Sequence, residues 1–220
     1  FLSFGKLRVS WAKVGKDAGA YVTNTYLGSA ATFLNDITGY GTSWERGNPI
    51  LEPEMTESTE IGLELRFFKN RLKVDYAYYT NNSLNQIISP RGPQSTGFIF
   101  CSQNIGDIYN KGMELTIGGT PIQTKDFTWD SSINIYGNRG TVKNLPVGTD
   151  VLYVTDAQFG GAQAASFNNG AFLGISGYHW KYNDEGKVIL DQYGMPTYDA
   201  STKVCIGNRE PKFQGGFNNT

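Results

Sequence analysis

The sequence predicts an all-β protein of antiparallel, up-and-down strands of the kind that build a large transmembrane β-barrel. Three observations predict it. The first is strict alternation, seen best in "EIGLELRFFKNRLKVDYAYY" (60–79). Ile61, Leu63, Leu65 and Phe67 point one way and Glu60, Glu64 and Arg66 the other. After Lys69 and Asn70, Leu72, Val74, Tyr76 and Tyr78 oppose Arg71, Lys73, Asp75 and Tyr79. Two such runs, joined tightly, form a hairpin with one apolar and one charged face. The second is composition: 14% aromatic residues and 27 glycines, against only 18% charged and 39% hydrophobic, is turn-rich β rather than helical. The third is the unequal length of the connections.

The elements follow in order. In "KLRVSWAKV", Leu7, Val9 and Trp11 alternate with Lys6, Arg8 and Ser10, which predicts a strand near 4–14. The hairpin above supplies strands near 57–68 and 71–82. In "KGMELTIGGT", Met113, Leu115 and Ile117 alternate with Gly112, Glu114 and Thr116, a strand near 110–120. Phe127, Trp129, Ile133 and Ile135 mark one near 126–139, with Ser131 interrupting the stripe. Phe213 and Phe217 mark the last, near 211–220. Pro49 and Pro53 stop the first connection from extending the ladder early, and Glu54 and Glu57 keep that strand's entrance polar. Gly106 and Gly112 permit a bend or bulge where the fourth strand begins.

Two connections are short (69–70 and 121–126) and three are long (15–56, 83–109 and 140–210). In an up-and-down sheet this puts every short turn at one end and every long loop at the other. Loops beyond ~15 residues are uncommon in compact soluble domains and usually functional. Outer-membrane barrels are built this way, with short periplasmic turns and long extracellular loops. No run approaches the ~18 apolar residues of a spanning helix, but spanning strands hide their apolar residues at alternate positions. Trp11, Phe67, Phe68, Tyr76, Tyr78, Tyr79, Phe127 and Trp129 fall toward strand ends, as an interfacial girdle requires. A β-sandwich or lectin-like module, whose outer face is also polar, is the alternative.

A formal charge of −1 supplies no electrostatic reason to expect nucleic acid or an anionic membrane as partner. Cys101 and Cys205 fit no metal motif and make no disulfide framework; pairing and free thiols are both open. No catalytic set emerges. His179, the one histidine, sits in "GYHWKYNDEGK" and reads as a solvated loop residue. The pairs Glu52/Glu54 and Asp184/Glu185 read as solvated turn formers rather than a glycosidase pair. "NDEGK" (183–187) lacks the ligand spacing of a calcium loop and reads as the turn of a hairpin from 178–182 to 188–192, a Ca²⁺ site being the alternative. "FGGAQAASFNNGAFLG" (159–174) reads as a flexible, small-residue loop lining a vestibule. No enzyme activity and no cofactor are expected.

Five phrases resemble the SusC/RagA family of TonB-dependent outer-membrane transporters of Bacteroidetes-type bacteria. They are "LRVSWAKVG" (7–15), "NPILEPEMTESTEIGLELRFFKNRLKVDYAYY" (48–79), "NIGDIYNKGMELTIGGTPI" (104–122), "FTWDSSINIYGNRGTV" (127–142) and "IGNREPKFQGGFNNT" (206–220), about half the chain, in order. The resemblance implies a barrel of about 22 strands closed by an N-terminal plug, here represented by part of its C-terminal half, without the plug or the segment that contacts TonB. It implies a SusD-like lipoprotein lid, energy delivered by TonB, and import of a glycan or peptide. A secreted or surface all-β carbohydrate-binding module is the alternative. Tyr40 and Trp44 in "GYGTSW", and Tyr178, His179, Trp180 and Tyr182, are the candidate contacts to ligand or lid; loop-on-loop packing is the other account of those aromatics. Such a barrel requires Ile61, Leu63, Val74 and Tyr76 to face lipid. Covering them with a second protein layer would exclude it.

Overall fold

The structure is a computed structural model that describes residues 1–33, 37–154 and 158–220. Six long strands order its main sheet: β1 (Leu2–Lys16), β2 (Glu54–Phe67), β3 (Leu72–Leu84), β4 (Asp107–Gln123), β5 (Thr128–Lys143) and β6 (Gln214–Asn219). They lie side by side in chain order, every pair antiparallel, and Gly170–Ala171 adds a bridge beside Thr141. The β2–β3 turn is tight because Phe68, Lys69 and Asn70 all take positive φ, an arrangement uncommon for a residue as bulky as Phe. The Arg71 guanidinium donates to the carbonyls of Thr120 and Pro121, which ties this turn to the β4–β5 turn.

Most strands outrun their apolar stripes. β4 begins at Asp107 rather than near 110, and β5 ends at Lys143 rather than near 139, because ladder hydrogen bonds need backbone, not greasy side chains. β6 is shorter than its stripe suggests and begins at Gln214, beyond Pro211, which has no N–H to donate.

The register separates two faces. Leu7, Leu63, Tyr76, Leu115 and Ile135 lie in one cross-strand row, and Val9, Ile61, Tyr78 and Met113 in the next. The opposite face carries Lys6, Glu64, Asp75, Thr116 and Asn134. Tyr79 pairs with Glu60 and Gly112 and so belongs to the polar face, outside any girdle of the apolar one. No second layer covers the apolar face among the described residues: Leu7 is 68% exposed, Ile61 49% and Leu63 39%. From Phe67 to Thr59, whose row ends in Trp11, the stripe runs about 26 Å along the strand. A tilt of about 40° turns that into about 20 Å of membrane thickness, which interfacial aromatics extend.

Burial concentrates instead at the loop end. Ile105, Val142 and Leu145 form a small core, backed by Ile88, Ile108, Leu152 and Phe172. The long connections are folded. Leu27–Phe33 pairs with Ile37–Thr42, and Glu45–Arg46 runs parallel to Phe100–Cys101, joining the first loop to the second. In the third, Val151–Tyr153, Gln163–Phe167, Gly174–Gly177 and Val204–Asn208 make a four-stranded sheet. The segment expected to be a flexible vestibule loop, 159–174, therefore supplies a central strand with Ala165 and Ser166 buried. Its small residues permit this: a Cβ at Gly174 would stand 2.7 Å from the Phe167 ring. Cys101 and Cys205 are free thiols.

Candidate functional site

The polar face is a wall of paired charges and amides. Arg8 Nη2 donates to Asp75 Oδ1 at 2.7 Å, and its Nη1 lies 3.6 Å from Glu64. Arg66 donates to Glu64 through Nε and Nη2. Farther toward the loops, the Tyr79 ring lies over Gly112, where a Cβ would come within 2.4 Å of it. The Tyr79 hydroxyl donates to Asn138 Oδ1, and Asn138 Nδ2 donates to Glu210. The other Glu210 oxygen accepts the Gly140 N–H at 2.9 Å. A returning loop thus replaces β6 at the edge of β5, since β6 pairs only with 131–136. Between β1 and β5 this wall holds a 410 Å³ depression lined by Ser10, Glu60, Tyr79, Asn81, Asn110 and Asn138. The Asn110 Oδ1 is buried there with no partner among the described residues.

Above the wall, the second and third loops enclose a 790 Å³ cleft. Arg91, Phe100 and Gln103 of the second loop and Tyr153, Gln158 and Lys203 of the third line it. Lys203 Nζ lies 5.6 Å from the Tyr153 ring and 5.4 Å from the Tyr178 ring, a cation held between two π-faces. Rings for stacking, amides for hydroxyls and fixed cations suit a bulky polar ligand.

Beside Lys203 is a motif that the single-hairpin expectation missed. Lys181 N–H donates to Thr197 O, Ile189 N–H to Lys181 O, and Thr197 N–H to Ile189 O, each at 2.9 Å. Three residues spaced by eight close a ring. Each ring residue is followed two places on by Asn183, Asp191 or Asp199, whose side-chain oxygen accepts the N–H of Glu185, Tyr193 or Ser201. Gly186 and Gly194 supply the left-handed positions in the first two turns, at φ 76° and 78°. Tyr182 does pair with Val188, but the chain then turns again, and Leu190 pairs with Pro196 and Trp180 with Tyr198. The signal was legible as Asx residues at 183, 191 and 199. Asn183 Oδ1 is occupied by two amides and Glu185 by Lys187 Nζ, which is turn chemistry. The Ser201 hydroxyl, and after it the Ser201 N–H, holds the Asp199 carboxyl below its ordinary value.

An open sheet with an uncovered apolar stripe, short turns at one end and folded loops at the other has a counterpart among known proteins. The family described as TonB dependent receptor-like, beta-barrel matches residues 2–213. The chain belongs to that family. It is 30% identical, over 98% of its length, to TonB-dependent receptor P26 of Formosa agariphila, and 32% identical, over 92%, to TonB-dependent receptor SusC of Bacteroides thetaiotaomicron. It superposes on the RagAB peptide transporter with a TM-score of 0.77 over 98% of its length, at 24% identity, which establishes the shared fold. It spans 24%, 22% and 25% of those three chains. The sheet is thus an unclosed arc of an outer-membrane β-barrel of the SusC/RagA type. Its apolar stripe meets lipid, its charged wall meets the lumen, and its long loops are extracellular.

Within this barrel arc the anticipated contact residues separate. Tyr178 and Trp180, with Tyr198, line an aromatic recess of 450 Å³ against Gly160 and Gly161. Tyr182 lies on the ring of hairpins, 54% exposed. His179 is exposed and contributes its carbonyl, which accepts the Asp199 N–H. Tyr40 and Trp44 belong to the first loop and join neither the recess nor the cleft; the Trp44 carbonyl accepts the N–H groups of Ile99 and Phe100. Sequence reasoning missed Arg91, Phe100, Tyr153 and Lys203, because their convergence depends on loops meeting from different parts of the chain. Glu52, Glu54 and Glu185 hold structure: Glu54 takes Lys16 Nζ and the Ile87 N–H, Glu52 takes Asn85, and Glu185 takes Lys187 Nζ.

Proposed function

We propose that this chain forms part of the C-terminal half of the barrel of a TonB-dependent active transporter importing a bulky polar nutrient, with a glycan as the substrate class. A SusD-like lipoprotein covers the extracellular mouth, and TonB acts through a plug outside this segment. Two observations support the proposal: a 790 Å³ cleft between the folded loops, and a hydroxyl- and amide-lined depression on the polar face of the sheet, whose other face is uncovered. Stacking rings and hydrogen-bonding amides favour sugar over an apolar cargo. Tyr178, Trp180 and Tyr182 serve as ligand or lid contacts, with Tyr153 and Lys203 beside them.

The test uses the whole gene. The protein is expected to fractionate with outer membranes, to shift mobility on heating in detergent, and to bind oligosaccharides in preference to peptides of similar mass by calorimetry. Tyr153→Ala with Lys203→Gln is expected to weaken that binding about tenfold, the scale of one stacking contact. Preference for peptides would reject the glycan and retain the transporter. Recovery as a soluble protein would reject both.

A further inference from the structure

On the inner face Arg8, Arg66 and Lys16 each meet a carboxylate, and Lys73, which stands opposite Arg66, faces a guanidinium already held by Glu64. On the outer face Lys111 and Arg139 are direct cross-strand partners of β4 and β5. Both are exposed, and neither side chain has a hydrogen bond or ion pair among the described residues. Like charges placed directly opposite in an antiparallel ladder repel and destabilise it. Lys143 stands on the same face two rows farther out, and the Tyr109 ring between them lies 4.8 Å from its Nζ. Asp107 stands opposite Lys143 and also accepts Asn85 N–H and Asn144 Nδ2, while Glu57 accepts the Trp11 indole N–H; neither carboxylate is ion-paired with Lys111 or Arg139 among the described residues. A net charge of −1 conceals this pair of adjacent cations.

The location identifies the partner. Lys111 is two residues beyond Met113, the last apolar residue of the β4 stripe, about 7 Å along the strand. It shares its row with Trp11, at the level where aromatic belts meet headgroups on the extracellular side. We propose that Lys111 and Arg139 form a docking site on the barrel exterior for the phosphate of an outer-leaflet lipid headgroup. An anion between the two side chains converts their repulsion into two charge-assisted contacts, and the Arg139 fork can engage two phosphate oxygens at once. The site lies on the lipid side of the sheet and is independent of what the transporter imports.

The test uses the full-length transporter in non-ionic detergent, titrated with lipid A carrying its phosphate and with the same lipid dephosphorylated, bound lipid being counted by native mass spectrometry. The phosphorylated lipid is expected to bind about tenfold more tightly. Lys111→Gln with Arg139→Gln is expected to erase that difference, and Lys69→Gln, at the turn end, to leave it intact. Equal binding of the two lipids, or an unchanged double variant, overturns the proposal. So does displacement of the lipid by an equal concentration of inorganic phosphate, which would indicate a simple anion site. Should the double variant fail to assemble, Arg139→Lys keeps the charge but loses the fork. It is expected to weaken binding about threefold, and no weakening overturns the proposal.

Discussion

Arg8 on β1 crosses the backbone of β2 at Gly62 to reach Asp75 on β3, Nη2 to Oδ1 at 2.7 Å. Gly62 faces Arg8 in the ladder, and a Cβ there would stand 2.9 Å from the Arg8 Nε. The glycine keeps the passage open. Gly62→Leu is expected to displace the guanidinium and lower barrel stability more than Asp75→Asn, which removes only the pair. Guanidinium unfolding in lipid vesicles would measure both. Salt should shrink the Asp75→Asn effect while leaving the steric one.

Leu63 sits midway along the apolar stripe, and Glu64, its neighbour, faces the lumen. Leu63→Arg is expected to cost about 2–4 kcal/mol, since lipid cannot solvate the charge. Glu64→Gln should cost under about 1 kcal/mol, because water reaches Arg8 and Arg66. Equal losses in vesicle unfolding would mean the faces have been assigned the wrong way round.

Glu210→Ala removes the acceptor of the Gly140 N–H and of Asn138 Nδ2 where β6 has left the β5 edge. The orphaned amide is expected to cost about 1–2 kcal/mol. Hydrogen exchange should quicken at Gly140 and leave 131–136, still paired with β6, unchanged.

Asp191→Ala deprives the Tyr193 and Met195 N–H groups of their acceptor. A loss of about 1 kcal/mol, confined to the loop, is expected. Limited proteolysis should open 181–197 while the heat-shifted mobility of the barrel persists.

The third turn is sensitive to acid. Ser201 holds the Asp199 carboxyl below its ordinary value. A depressed native value stabilises the turn above the unfolded value, and that contribution fades as pH falls through the native one. Order near 199–201 should therefore hold from neutral pH down to the ordinary carboxylate range and decline at more acid pH. Ser201→Ala should move the decline to higher pH, as read from the Asp199 carboxyl resonance by NMR.

The alternation of Ile61, Leu63, Val74 and Tyr76 against Glu64, Lys73 and Asp75 determined the strands and which side chains share a face, while the uncovered apolar face in the structure excluded a second protein layer among the described residues. A period of two acts on neighbouring residues, so it can be read along the chain. The loops were decided by tertiary structure. Residues 159–174 became a central strand because glycines admit Phe167, a contact made across the loop sheet. Lys203 meets Tyr153 and Tyr178, and it shares the cleft lining with Arg91 and Phe100, only because two loops fold against the Ile105–Val142–Leu145 core. Lys111 and Arg139 were visible as two cations but not as partners, because a strand's own sequence does not state its neighbour's register. Side-chain direction is a local property of an extended chain. Cleft, ring and cation pair depend on which distant residues the ladder and the loop core bring within a few ångströms.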